Sequence, residues 1–125
     1  MKYLLDSHTL LWATSQSQLL SETARREIAA PQNIIFVSLV SLWELRLKES
    51  LGKLKILPDF YRQLPEMGYE LLPLSLAHIE TFGNLPWHHK DPFDRMLVAQ
   101  AMTEQLTLMT RDAALLQYEV SVMKI

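Results

Sequence analysis

No cysteine occurs among the 125 residues. Disulfides and thiolate metal sites are therefore excluded, and the composition suits a reducing cytoplasm. A basic excess is also missing: 12 Lys and Arg stand against 14 Asp and Glu, for a net charge of −2. Duplex-binding proteins usually carry an obvious positive surplus, so composition does not point to DNA. It does not exclude nucleic acid, because bound cations would cancel the charge of a carboxylate metal site. No apolar run approaches the roughly 20 residues of a membrane helix. The start, MKYLLDSHTLLWA, is interrupted by Asp6 and His8 and does not read as a signal peptide. Repeats, low-complexity tracts and linkers are absent.

What is present is a packed globule in prospect. Hydrophobic residues make up 49 % of the chain, and its length fits one domain, residues 1–125, able to bury a core unaided. Short apolar runs alternate with helical patterns. Residues 2–5 (KYLL) form a run ending at Asp6, and 7–14 read as helix. Ser21 caps ETARREIAA. Residues 34–37 (IIFV) carry a strand signal. Ser38 opens the helix LVSLWELRLKESL, stopped by Gly52. LPDFYRQLPEM is a further short helix, 69–73 (YELLP) a strand, and Ser75 caps SLAHIETF. Asp91 and Pro92 begin PFDRMLVAQAMTEQ. LTLM, 106–109, is a strand leading to Thr110, Arg111 and Asp112, and VSVMKI ends the chain. This alternation predicts an α/β fold with a mostly parallel sheet covered on both faces.

Sites in such folds lie at the carboxyl ends of strands. Asp6 follows the first strand and Asp112 follows LTLMT by one residue. Each can equally cap a following helix. Glu44 sits among leucine and tryptophan in the helix after strand 34–37. A buried carboxylate there needs a partner or a metal. Ser41 and Glu44 have capping-box spacing, but Ser38 is the better-placed cap. In HHKDPFDRM, residues 88–96, Asp91 has the look of an N-cap with Pro92 at the first helical position. Asp94 then falls in the first turn, where an acid suits the helix dipole.

Taken together, Asp6, Glu44, Asp94 and Asp112 would gather on one sheet edge. Four carboxylates there repel unless a cation neutralises them. Oxygen-only ligands suit Mg²⁺ or Mn²⁺, which activates water and clamps phosphate oxygens.

These residues resemble the PIN domain family, and most closely its VapC-type toxins from bacterial toxin–antitoxin pairs. The pieces that carry the resemblance are YLLDSHTLLW, VSLVSLWEL, HHKDPFDRMLVAQA and LTLMTRD, in that order over essentially the whole chain. Ser7 stands where close relatives often have threonine. The resemblance implies a parallel sheet of about five strands between helices. It implies a metal-dependent endoribonuclease with Asp6, Glu44, Asp94 and Asp112 holding Mg²⁺ or Mn²⁺. It further implies an RNA substrate, a small antitoxin that covers the site, operator DNA bound through that antitoxin, and a homodimer.

Around the acids, two readings stand for each neighbour. Asp91 assists the metal or only caps. Ser7 and Thr110 hydrogen-bond the acids or cap backbone. Lys90, Arg95 and Arg111 bind RNA phosphates or form plain surface ion pairs. A zinc site from His8, His88 and His89 is disfavoured for want of a compelling ligand set, and the paired histidines are expected in an exposed loop. Trp12 and Trp43 are expected in the core; Trp87 is the better candidate for stacking on a base.

Rival folds fit poorly. A haloacid-dehalogenase-like phosphatase needs an acid where His8 stands, and a receiver domain needs a late lysine where the chain has Arg111–Asp112. The alternatives that remain are a PIN-fold RNA-processing nuclease outside a toxin pair and a catalytically silent binding module.

Overall fold

A computed structural model describes all residues, Met1–Ile125. Five strands form one sheet: β1 (Lys2–Leu5), β2 (Ile34–Ser38), β3 (Glu70–Leu72), β4 (Thr107–Thr110) and β5 (Val122–Lys124). Their order is β3-β2-β1-β4-β5, and every neighbouring pair is parallel. Six helices connect them: α1 (Ser7–Ser15), α2 (Glu22–Ala29), α3 (Leu39–Ser50), α4 (Phe60–Gln63), α5 (Leu76–Gly83) and α6 (Pro92–Glu104).

Parallel strands need crossovers, and the crossovers place helices on both faces. The apolar runs of the strands answer to this. Tyr3 and Leu5 of β1 join one core, with Leu10, Val37, Leu45 and Met109. Leu4, between them, points into the other, with Leu97, Val98, Leu108 and Leu115. A strand buried on both faces cannot alternate polar with apolar.

Helix starts are capped by the residues expected. The side chains of Asp6, Ser21, Ser38, Ser75 and Asp91 each accept a backbone N–H from the first turn that follows. At α5 the bond is returned by His78, completing a capping box. Gly52, at φ 73°, turns the chain after α3 in a conformation that favours glycine.

Several expectations are corrected. The helix expected from LPDFYRQLPEM shortens to Phe60–Gln63; Pro65, just beyond it, has no N–H to continue the ladder. Two 3-10 turns, Ser17–Leu19 and Ala113–Gln117, carry no advance signal in the pattern. Trp43 is not core. It is 65 % exposed and packs edge-on against Phe93 at 5.2 Å. The reason is helical phase: α3 buries Val40, Ser41, Glu44 and Leu45, which turns position 43 outward. Trp12 is half-buried against the first core, as expected. No helix is long and apolar enough to cross a membrane.

Candidate active site

A parallel sheet ends all its strands on one edge. Asp6 directly follows β1, Asp112 lies just past β4, and Glu44 is in the second turn of the helix that leaves β2. Asp94 occupies the first turn of α6. The structure brings these four acids together. They line a single cleft of about 360 Å³ with Ser7, His8, Lys48, Asp91, Arg111 and Ala113.

Each acid is held by neighbouring side chains or backbone. Asp6, only 6 % exposed, accepts the Thr9 N–H at 2.8 Å and lies 2.6 Å from the Thr9 hydroxyl, both through Oδ1. Capping and cleft duty are thus divided between its two oxygens. Glu44 is 7 % exposed. Its Oε1 accepts from the Ser7 hydroxyl at 2.5 Å, and its Oε2 lies 3.3 Å from Lys48 Nζ. Asp112 accepts the Ala114 N–H through Oδ1, and its Oδ2 is 2.7 Å from His89 Nε2. Asp94 Oδ2 is 3.2 Å from the same nitrogen. Asp91 caps α6, with Oδ1 accepting from Phe93 N at 2.8 Å and Asp94 N at 3.3 Å. Thr110 Oγ1 accepts the Asp112 N–H at 3.0 Å.

The electrostatics record the crowding. Asp94 has its carboxyl pushed up to about 7, first by burial, then by the charges of Asp91, Asp6 and Glu44; His89 opposes them. Asp112 moves the other way. Burial works to raise it, but the Ala114 N–H, the bond from His89 and the charge of Arg111 prevail. His8 is lowered by burial and by Arg111, whose guanidinium donates to its Nε2 at 3.1 Å.

A cleft with more negative than positive charge and carboxylate oxygens from four segments fits a hard divalent cation. Ligand atoms of His89, Asp94 and Asp112 lie within 4.8 Å of one another, a separation that a single ion can bridge.

Some neighbours stand elsewhere than expected. Arg95 is 2 % exposed and is not free to meet RNA. Its guanidinium lies 3.8 Å over the Trp87 ring and 5.0 Å from Phe82. It donates to the Pro86 carbonyl at 2.8 Å and to Tyr118 Oη at 3.2 Å. Three residues after Pro92 in α6, it faces the core that Asp94 avoids. Trp87 is 76 % exposed, with that guanidinium on one face. Lys90 and Arg111 are exposed. Of the paired histidines, His88 is exposed and sits against the Tyr118 ring, whereas His89 is half-buried in the site.

Sequence reading missed Lys48 and underrated His89. For Lys48 the signal was available: it stands four residues after Glu44 on a helix, the spacing at which opposite charges meet. For His89, placed in a loop, no periodicity could have told its direction.

Comparison with solved structures agrees with this architecture. VapBC2 from Rickettsia felis, bound to a promoter DNA fragment, matches with a TM-score of 0.75 at 18 % identity over 100 % of this chain and 99 % of that one. VapBC-1 from nontypeable Haemophilus influenzae matches with 0.71 at 15 %, over 99 % and 98 %. VapBC-5 from Mycobacterium tuberculosis, of the VapBC family of toxin-antitoxin systems, matches with 0.61 at 22 %, over 99 % and 97 %. No curated protein matches at the level of sequence. The PIN domain family model, however, matches residues 3–120. With that match across nearly the whole chain, and five parallel strands gathering its acids on one edge, the chain belongs to the PIN domain family.

Proposed function

We propose that the chain is a metal-dependent endoribonuclease, the toxin of a VapC-type toxin–antitoxin pair. The observation that carries this reading is the meeting of Asp6, Glu44, Asp94 and Asp112 in one cleft from four separate segments. Capping alone gives no reason for such convergence.

Asp6, Glu44, Asp94 and Asp112 would hold Mg²⁺, with Mn²⁺ as the alternative. A bound ion supplies positive charge to phosphate oxygens and makes water a stronger nucleophile. The chain's own residues do the rest. Ser7 and Lys48 hold Glu44 from both oxygens. Thr9 occupies Oδ1 of Asp6 and leaves Oδ2 for the cleft. Asp94, whose carboxyl is pushed up to about 7, would take the proton from the attacking water. The water oxygen would bond to phosphorus, one bridging P–O bond would break, the displaced oxygen would take up a proton, and the RNA would leave as two pieces. Arg111, which lines the cleft, and Lys90, exposed next to Asp91, would bind RNA phosphates.

Partners follow from the same reading. Neighbours solved as VapBC pairs with DNA support a small antitoxin that covers the cleft and carries the pair to operator DNA. A homodimer acting in the cytoplasm completes the proposal.

The test uses purified chain free of antitoxin and a panel of structured RNAs. It is run with Mg²⁺ or Mn²⁺, then with chelator, beside Asp6→Asn. Cleavage that needs both the ion and Asp6 supports the reading. Cleavage that survives chelator or the substitution overturns the site. An antitoxin-sized reading frame immediately upstream separates the toxin from an RNA-processing nuclease.

A further inference from the structure

His89, behind the cleft lining, touches two of its acids at once. Its Nε2 lies 2.7 Å from Asp112 Oδ2 and 3.2 Å from Asp94 Oδ2. Two roles fit such a nitrogen. It can give a lone pair to a cation between the acids, or it can give a proton to the acids themselves. The other side of the ring decides between them.

His89 Nδ1 lies 3.2 Å from the backbone nitrogen of Asp91. A backbone amide can only donate, so Nδ1 is the acceptor and its lone pair is taken. In the neutral ring the remaining proton must then sit on Nε2. For Nε2 to ligate a cation, the proton would move to Nδ1 and face the Asp91 N–H, donor against donor.

The ring is also fixed in place from behind. The N–H groups of His88 and His89 donate to Tyr118 Oη at 3.2 and 3.0 Å. Tyr118 Oη also accepts from Arg95 Nη1, which donates in addition to the carbonyl of Pro86. Consecutive residues of α6 thus do complementary work: Asp94 faces the cleft, and Arg95 clamps the loop that aims His89 at it.

We infer that His89 is a positioning residue, an Nε2–H donor that fixes Asp94 and Asp112 at the spacing a divalent cation needs, and not a nitrogen ligand of that cation. The inference rests on the metal-dependent reading above. It adds a partner that orients the ligands, a kind of contact that metal sites commonly depend on. It also assigns the Asp91 amide a purpose beyond opening a helix, the selection of the His89 tautomer.

The experiment has two arms on the full chain without antitoxin. In the first, nitrogen-15 NMR of the metal-free protein reads which ring nitrogen of His89 carries the proton. Nε2 is expected; Nδ1 overturns the proposal. In the second, Mg²⁺ and Mn²⁺ are titrated calorimetrically into wild type, His89→Ala and His89→Gln, with circular dichroism to confirm the fold. His89→Ala should weaken both ions about 10–100-fold and to the same extent. His89→Gln, which keeps an N–H donor, should recover part of the loss. Manganese loses nitrogen ligation more heavily than magnesium does. A fall confined to Mn²⁺ would therefore identify a ligand and overturn the proposal, as would no change for either ion. Wild type that binds neither ion defeats the metal-dependent reading and this inference together. The wrong tautomer in a chain that binds them defeats the inference alone.

Discussion

The hydroxyl of Ser7 donates to Oε1 of Glu44 at 2.5 Å, joining residues 37 apart in the chain. Both are buried. Ser7 opens α1 and Glu44 lies in α3, so the bond ties together the helices that leave β1 and β2. Ser7→Ala leaves a buried carboxylate oxygen without its donor. The expected cost is about 1–3 kcal/mol of stability, together with slower cleavage as Glu44 loses its orientation. Urea denaturation measures the first and RNA cleavage the second; an unchanged midpoint would remove the bond's structural role.

Asp6→Asn separates capping from charge. Asparagine caps a helix about as well as aspartate, so its oxygen can still accept the Thr9 N–H. Cleavage should fall to background while melting stays level or rises, because one of the charges that crowd Asp94 is gone. A protein that unfolds on this change would show that Asp6 is chiefly structural.

Metal-free protein should lose stability as pH rises. The Asp94 carboxyl stands at about 7 in the fold against 3.8 for an ordinary one. Between those values the folded chain holds a proton that the unfolded chain has released. The contribution is full below 3.8 and is lost progressively up to about 7. Allowing for partial exposure of the side chain, the loss is of the order of 2 kcal/mol. Asp112 has the opposite sign, since its lowered carboxyl stabilises above the ordinary value and ceases to as pH falls through its own. Thermal melts in chelator at pH 5 and pH 8 test this. Asp94→Asn should flatten the slope, and Mg²⁺ should stabilise more at pH 8 than at pH 5.

Arg95 and Arg111 should part company under substitution. Arg95 is buried with no carboxylate beside it, its Nε unpartnered and its face on Trp87. Arg95→Lys removes the planar stack and the fork, and should cost about 2 kcal/mol or more. Arg111→Ala should leave melting unchanged but weaken RNA binding, with the salt slope reduced by about one. Both are measured in the Asp6→Asn background, so that substrate survives. Equal effects on RNA affinity would contradict the division.

The parts of the fold legible in sequence were those whose cause is local. Ser38, Ser75 and Asp91 announce helix starts because a cap is a contact within one turn. IIFV and LTLM announce strands because burial on both faces demands mostly apolar side chains. The four acids were legible through the rule that parallel strands share one edge. Trp43 and Arg95 were misjudged for a common reason. Which side of a helix faces the core depends on packing against distant segments, and residue type alone assigned tryptophan inward and arginine outward. His89 lay beyond reach, since its direction depends on Tyr118, 29 residues later.

The position of β4 in the sheet sets a timetable for the molecule. It lies against β1, where the Asp6 N–H donates to the Met109 carbonyl at 3.2 Å. Chain that has emerged from the ribosome only as far as α6 has an open edge on its first strand and no Asp112. The cleft draws on residues from Asp6 to Ala113, so it closes only after β4 is in place. A prematurely terminated product lacks one wall of it. During synthesis the four acids cannot meet until Asp112 has been added and β4 has docked on β1.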